Sequence, residues 1–210
     1  MNDYSKELEW TVPNPLDLNY WEHHSTNIII AKYADALTGH VADAGCNNGI
    51  AVAMLSLLTR VESVTGLDIS EHALDMARSM LEYHPKCKAD KIGYVQCNLA
   101  DMPCFCFQFD SVLCLHTLEH IYPDDMAAVV SGLHRILKPG GRLVFSVPCR
   151  DAFGNSPAHV MRFSPGEDPG YCNLRDVLER GGFTVAEIYE DATLNSDTEL
   201  CITGLAIATG

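Results

Sequence analysis

Hydrophobic and polar positions along the chain alternate between two kinds of segment. Short continuous apolar runs cover residues 40–45, 61–68, 91–97, 109–115 and 142–147, and each reads as a strand buried on both faces. Between and around them, residues 20–37, 49–59, 72–83, 123–137 and 174–180 carry apolar side chains at helical spacing. Ser70 is placed to cap the third of these segments, and Pro123 to open the fourth, with Asp124 and Asp125 beside it. Lys138-Pro139-Gly140-Gly141 is expected to stop that helix before a fifth strand. Two last strands, 183–191 and 199–209, have no helix between them and should form an antiparallel hairpin.

Repeated alternation of strand and helix predicts an α/β fold with a doubly wound sheet. Seven strands are expected, mostly parallel, ending in the antiparallel C-terminal hairpin. One domain suffices for 210 residues. Within it, residues 1–39 read as an arm and a helix that either packs on the core or lids the site, 40–147 as a ligand-binding core, and 148–172 as a loop long enough to be functional. In such sheets ligands bind beyond the carboxyl ends of the strands, at the switch point.

The chemistry starts at Asp43-Ala-Gly45-Cys-Asn-Asn-Gly49, where a strand ends in an acid and a glycine-bearing turn leads into a helix. A dinucleotide turn would need glycine at 45, 47 and 50, but Asn47 and Ile50 stand at two of the three. The lysine-bearing phosphate loop is absent too. A nucleoside ligand without a pyrophosphate fits better.

At this point the turn resembles the first motif of class I S-adenosylmethionine-dependent methyltransferases, in the small-molecule methyltransferase type 11 group. Gly66-Leu67-Asp68-Ile69-Ser70 resembles that family's acidic end of strand two, and Asn98-Leu-Ala-Asp-Met102-Pro103 its adenine loop. Phe109-Asp110-Ser-Val, Leu118-Glu-His-Ile121 and Leu137-Lys-Pro-Gly-Gly-Arg142-Leu follow in the family's order. The resemblance implies a Rossmann-like fold and S-adenosyl-L-methionine as cofactor. It assigns cofactor binding to Asp43, Gly45, Cys46, Asn47, Gly49, Asp68, Ile69, Asn98, Leu99 and the carbonyl of Leu115. Asp68 would accept the ribose hydroxyls, Ile69 pack on the adenine, and Asn98 with the Leu99 N–H meet its edge. Two residues depart from the pattern: Asn47 replaces a glycine, and Asn98 stands where Asp is usual. Asn tolerates left-handed backbone and its amide oxygen still accepts.

Methyl transfer to an O–H or protonated N–H acceptor also needs a proton removed, a task for histidine. His116, after the fourth strand, and His159, in the long loop, are the candidate catalytic residues. His159-Val-Met-Arg-Phe-Ser164 and the stretch 174–183 are similar to the loop and closing segments of small-molecule members. His120 reads as structural, and Glu119 and Tyr171 as further substrate contacts. The acceptor is expected to be a small molecule. A protein or peptide methyltransferase, and a catalytically silent cofactor-binding subunit, remain open alternatives; an NAD-dependent oxidoreductase is disfavoured by the turn.

Charge and cysteines sharpen this picture. A net charge of -14 argues against a nucleic-acid partner. Nine cysteines, several inside apolar runs, read as reduced thiols of a cytoplasmic protein, and no metal site is expected because Cys104-Phe-Cys106 is too tight for zinc pairing. With no signal-peptide pattern and no membrane-length apolar run, no membrane association is expected; the oligomeric state stays open.

Overall fold

In a computed structural model of the chain, the structure describes residues 25–83, 87–102, 108–150, 158–191 and 201–210. The strands are β1 (Gly39–Ala44), β2 (Val61–Asp68), β3 (Ile92–Gln96), β4 (Phe109–Leu115), β5 (Leu137–Pro148), β6 (Phe163–Ser164), β7 (Cys172–Asn173), β8 (Phe183–Asp191) and β9 (Cys201–Ala208). The helices are α1 (Ser25–Lys32), α2 (Ile50–Leu57), α3 (Glu71–Tyr83), α4 (Pro123–Ile136) and α5 (Leu174–Arg180). Seven strands form one sheet in the order β3-β2-β1-β4-β5-β9-β8, parallel except for β9, which is antiparallel to both of its neighbours.

Continuous apolar runs make sense in such a sheet because successive side chains point to opposite, equally covered faces. Ala42, Ala44, Val112, Cys114, Leu143 and Phe145 enter one core with Val129, Leu133, Ile136, Leu174 and Leu178 of α4 and α5. Their neighbours Val41, Leu113 and Val144 enter the other core, with Ile29, Ile30, Leu55 and Leu74 of α1 to α3. Thus the described part of α1 packs on the sheet, while Trp21, His23 and His24 lie outside the described residues.

The structure corrects the expected elements in two places. Helix α4 ends at Ile136, and the Lys138–Gly141 turn is absorbed into β5 because Leu137 already pairs with Phe109; the register then shifts before Ser111 pairs with Arg142. Positive φ at Gly140 (76°) makes that interruption tolerable. Between β3 and β4 no helix is expected, and none lies among the described residues there. The long segment after β5 is not wholly irregular, since β6 pairs with β7 across it.

The chain runs outward from β1 through β2 to β3, then returns to lay β4 on the other side of β1. The switch point therefore falls between the carboxyl ends of β1 and β4, as expected for ligand entry. No helix among the described residues is long and apolar enough to cross a membrane.

Candidate functional site

At the end of β1, the chain turns through Gly45 (φ 78°), Asn47 (φ 45°) and Gly49 (φ 78°) before α2 begins. All three adopt left-handed backbone, and Asn is the side chain that tolerates this best after glycine. The Gly45 and Cys46 N–H groups donate to the Leu67 carbonyl, and Gly49 N–H closes the turn on the Cys46 carbonyl. A side chain at Gly45 would meet Thr117 atoms at 2.5 Å, and one at Gly49 would meet Ala77 and Tyr94 at 2.7 Å. The need for glycine here thus arises inside the protein, from close packing of neighbouring elements.

Asp68 ends β2 and ties the turn together. One carboxylate oxygen accepts from Asn47 N–H and the other from Ser70 N–H, each at 2.9 Å. Charge-assisted bonds of this kind fix a loop firmly. Ser70 caps α3 as expected, its hydroxyl accepting from Ala73 N–H at 3.2 Å. The Asp68 carbonyl accepts from Cys97 N–H, and the Gln96 amide donates to the Ile69 carbonyl, which draws the end of β3 beside the end of β2. Asn98 folds an Asx turn there, its side-chain oxygen accepting from Ala100 N–H at 3.0 Å. Ile69 stays exposed beside it at 40%, a large apolar side chain at a strand end.

Two buried acceptors in this turn lack a protein partner: Asp43 Oδ2 and Asn47 Oδ1. Burial, with the nearby charge of Asp68, pushes the Asp43 carboxyl up to about 7 from an ordinary 3.8. A buried carboxylate without a partner is costly, so the pair calls for a ligand that brings donors, preferably cationic. The ammonium of a nucleoside carrying an amino acid fits that demand. Cys46 beside them is buried, and its thiol is pushed far up by burial and by the two aspartates, so it lines the turn without reactivity.

On the opposite side of the switch point lies the loop after β4. Thr117, a residue the sequence reading did not single out, packs on Gly45 and donates its hydroxyl to the Ala44 and Leu115 carbonyls at 3.0 and 3.1 Å. Its signal was hidden because its partner lies 73 residues away. His116 has left-handed backbone (φ 50°), and its Nδ1 lies 3.5 Å from a carboxylate oxygen of Glu119. Glu119 is 1% exposed, and its carbonyl accepts from Val160 N–H and Met161 N–H at 2.9 and 3.0 Å. His120 does bind backbone, but across the site: its Nδ1 meets the Ala158 carbonyl at 3.1 Å, and its ring stands edge-on to His159. The structure therefore brings His116, Glu119, His120 and His159 into one cluster. Tyr171 donates its N–H to the Asp168 carbonyl, while Cys149 is buried with its thiol pushed up to about 11, an inert packing residue.

Comparison with known proteins bears on this arrangement directly. A family described as a methyltransferase domain matches residues 42–145, the span from β1 to β5. The O-methyltransferase resE of Aspergillus sclerotiorum is 25% identical over 207 residues, covering 89% of this chain and 75% of that protein. A ubiquinone biosynthesis O-methyltransferase of Pseudomonas syringae pv. tomato is 34% identical over 137 residues, covering 63% of this chain and 50% of its own length. The solved structure of a SAM-dependent methyltransferase from Methanosarcina mazei shares the fold, with a TM-score of 0.65 at 18% identity over 86% of this chain and 97% of that one. Motif order, fold and relatives agree: this chain belongs to the class I S-adenosylmethionine-dependent methyltransferases.

Proposed function

We propose that the chain transfers a methyl group from S-adenosylmethionine to an oxygen or nitrogen atom of a small-molecule acceptor. The observation that carries this reading is the buried Asp43 carboxylate with its bare Oδ2, beside the equally bare Asn47 amide oxygen. Both would receive the ammonium of the cofactor's amino-acid part, with Gly45, Cys46 and Gly49 forming the wall and the first turn of α2 favouring its carboxylate. A carboxylate has about four lone-pair sites, so Asp68 retains capacity for ribose hydroxyls after holding two backbone N–H groups. Ile69 offers an apolar face to the adenine, with Asn98 and Leu99 at its edge, and the Leu115 carbonyl is a second acceptor for the amine.

The cofactor supplies a methyl group already activated on a sulfonium, so the protein's share is alignment and proton removal. His116 and His159 are the groups assigned to the acceptor side, in the segments that follow β4 and β5. The small-molecule assignment is supported by the relatives named as O-methyltransferases, resE and the ubiquinone biosynthesis enzyme among them.

The test is calorimetric and thermal. S-adenosylhomocysteine should bind and raise the melting temperature, as any ligand selective for the native state must. A folded sample that shows no shift at millimolar ligand sinks the proposal. Mass spectrometry of metabolite extracts incubated with enzyme and cofactor should then reveal the acceptor as a species gaining one methyl in place of hydrogen.

A further inference from the structure

The cofactor reading leaves one buried group unexplained. Glu119 is 1% exposed; neither of its carboxylate oxygens has a hydrogen-bond partner, and the ring of His116 stands 3.5 Å from one of them. Donor atoms of Glu119, His120 and His159 all lie within 4.8 Å of one another. The cluster is built from two loops some 40 residues apart, clamped by the Val160 and Met161 N–H groups on the Glu119 carbonyl. A carbonyl only accepts, so the 3.1 Å contact with Ala158 places the ring hydrogen of His120 on Nδ1 and leaves Nε2 as the basic nitrogen. Metal-binding histidines are oriented in just this way, by giving their other N–H to a backbone carbonyl.

We propose that Glu119, His120 and His159 bind a divalent transition-metal cation, zinc foremost. Two imidazoles and a carboxylate suit zinc and leave at least one coordination position for another ligand. Zn–N and Zn–O distances of about 2.0–2.2 Å put tetrahedral ligand atoms roughly 3.3 Å apart, so side-chain rotation closes the cluster on an ion without moving the backbone. The cation also neutralises the buried Glu119 carboxylate. Contrary to the sequence expectation of no metal, His159 then acts as a ligand. If the methyl-transfer reading holds, the remaining position would take an acceptor hydroxyl: its O–H bond would break and the proton leave to solvent, the oxygen would keep the electron pair and attack the methyl carbon, and the methyl–sulfur bond would break with its pair staying on sulfur as S-adenosylhomocysteine leaves. That step favours an oxygen acceptor over nitrogen.

The experiment uses the full chain stripped with a chelator and titrated with zinc against a chromophoric competitor, alongside Glu119→Gln, His159→Gln and, as control, His40→Gln. Wild type and His40→Gln should bind one equivalent, and each cluster variant should bind at least tenfold more weakly with unchanged circular dichroism. Cobalt in place of zinc should give the visible bands of an ion held by nitrogen and oxygen. Absence of stoichiometric binding, or an affinity within threefold of wild type in either cluster variant, overturns the proposal. S-adenosylhomocysteine binding is measured on the same samples. Cofactor binding without zinc defeats the metal site alone, whereas zinc binding without cofactor defeats the methyl-transfer reading and leaves the metal site standing.

Discussion

The two sides of the switch point are built differently. The turn after β1 is a contiguous stretch whose shape depends on backbone: three left-handed residues, N–H groups turned onto the Leu67 carbonyl, and an acid from the next strand holding the loop. The cluster after β4 depends on side chains brought together by topology, with Glu119 and His120 reaching a loop that begins about 40 residues later. In the proposed function the first side takes the cofactor common to the family and the second takes the acceptor. A rigid, locally encoded half and an assembled half are what such a division of labour requires.

If the turn's shape is set by backbone and packing, its largest sensitivity should be steric. Gly45→Ala introduces a side chain at φ 78° and 2.5 Å from Thr117. Left-handed strain and overpacking together should cost about 2–4 kcal/mol of stability, read from urea midpoints. Adding Thr117→Ala should recover only the packing share. A loss below about 1 kcal/mol would show that the turn is softer than its contacts imply.

Asp68 comes next, because it holds the turn and is the acceptor proposed for the ribose. Asp68→Ala leaves Asn47 N–H and Ser70 N–H without their acceptor, so a stability loss of roughly 2–3 kcal/mol should accompany the loss of S-adenosylhomocysteine binding. The sequence motif assigns Asp68 to the ribose alone and does not show its hold on the turn. Binding that survives in a folded sample would remove Asp68 from the ribose.

That difference indicates what was legible. Strand and helix order could be read because each run obeys a local period, and Phe109–Leu115 and Leu174–Arg180 match the expected spans to the residue. Asp43, Asp68 and the glycines could be read because they lie within a few residues of one another or at strand ends. Thr117 on Gly45, the Glu119 carbonyl beneath Val160, and the His120–Ala158 contact could not, since nothing in the local sequence encodes a partner 38 or 73 residues away. For the same reason Leu137 joins β5: its place is decided by pairing with Phe109, not by the turn residues that follow.

Asp43 gives a test with a sign. Its folded carboxyl lies at about 7, above the ordinary 3.8, so between those values the folded state holds the proton more tightly than the unfolded chain. The ligand-free protein therefore loses stability as pH rises through that window, and the penalty is complete above about 7. Asp43→Asn should stabilise the ligand-free protein at pH 8 by roughly 1–3 kcal/mol, with the gain fading toward pH 4. Saturating S-adenosylhomocysteine should reverse the order, because only the wild-type carboxylate then has a cation to meet. Parallel melting curves of the two proteins across pH would expose an Asp43 that is merely structural.

The smallest effect separates ligand from fold most cleanly. Ile69 is 40% exposed at the end of β2, while its carbonyl is held by Gln96 regardless of the side chain. Ile69→Ala should therefore change stability by no more than about 0.5 kcal/mol, the usual range for surface positions. An adenine lying on the side chain, however, would lose apolar contact worth about 1 kcal/mol at some 25 cal/mol per Å². S-adenosylhomocysteine should then bind roughly fivefold more weakly, with adenosine weakened by the same factor and homocysteine unaffected. Equal weakening of all three would mean that the turn had shifted as a whole; selective loss of the adenine-bearing ligands would put the ring on Ile69.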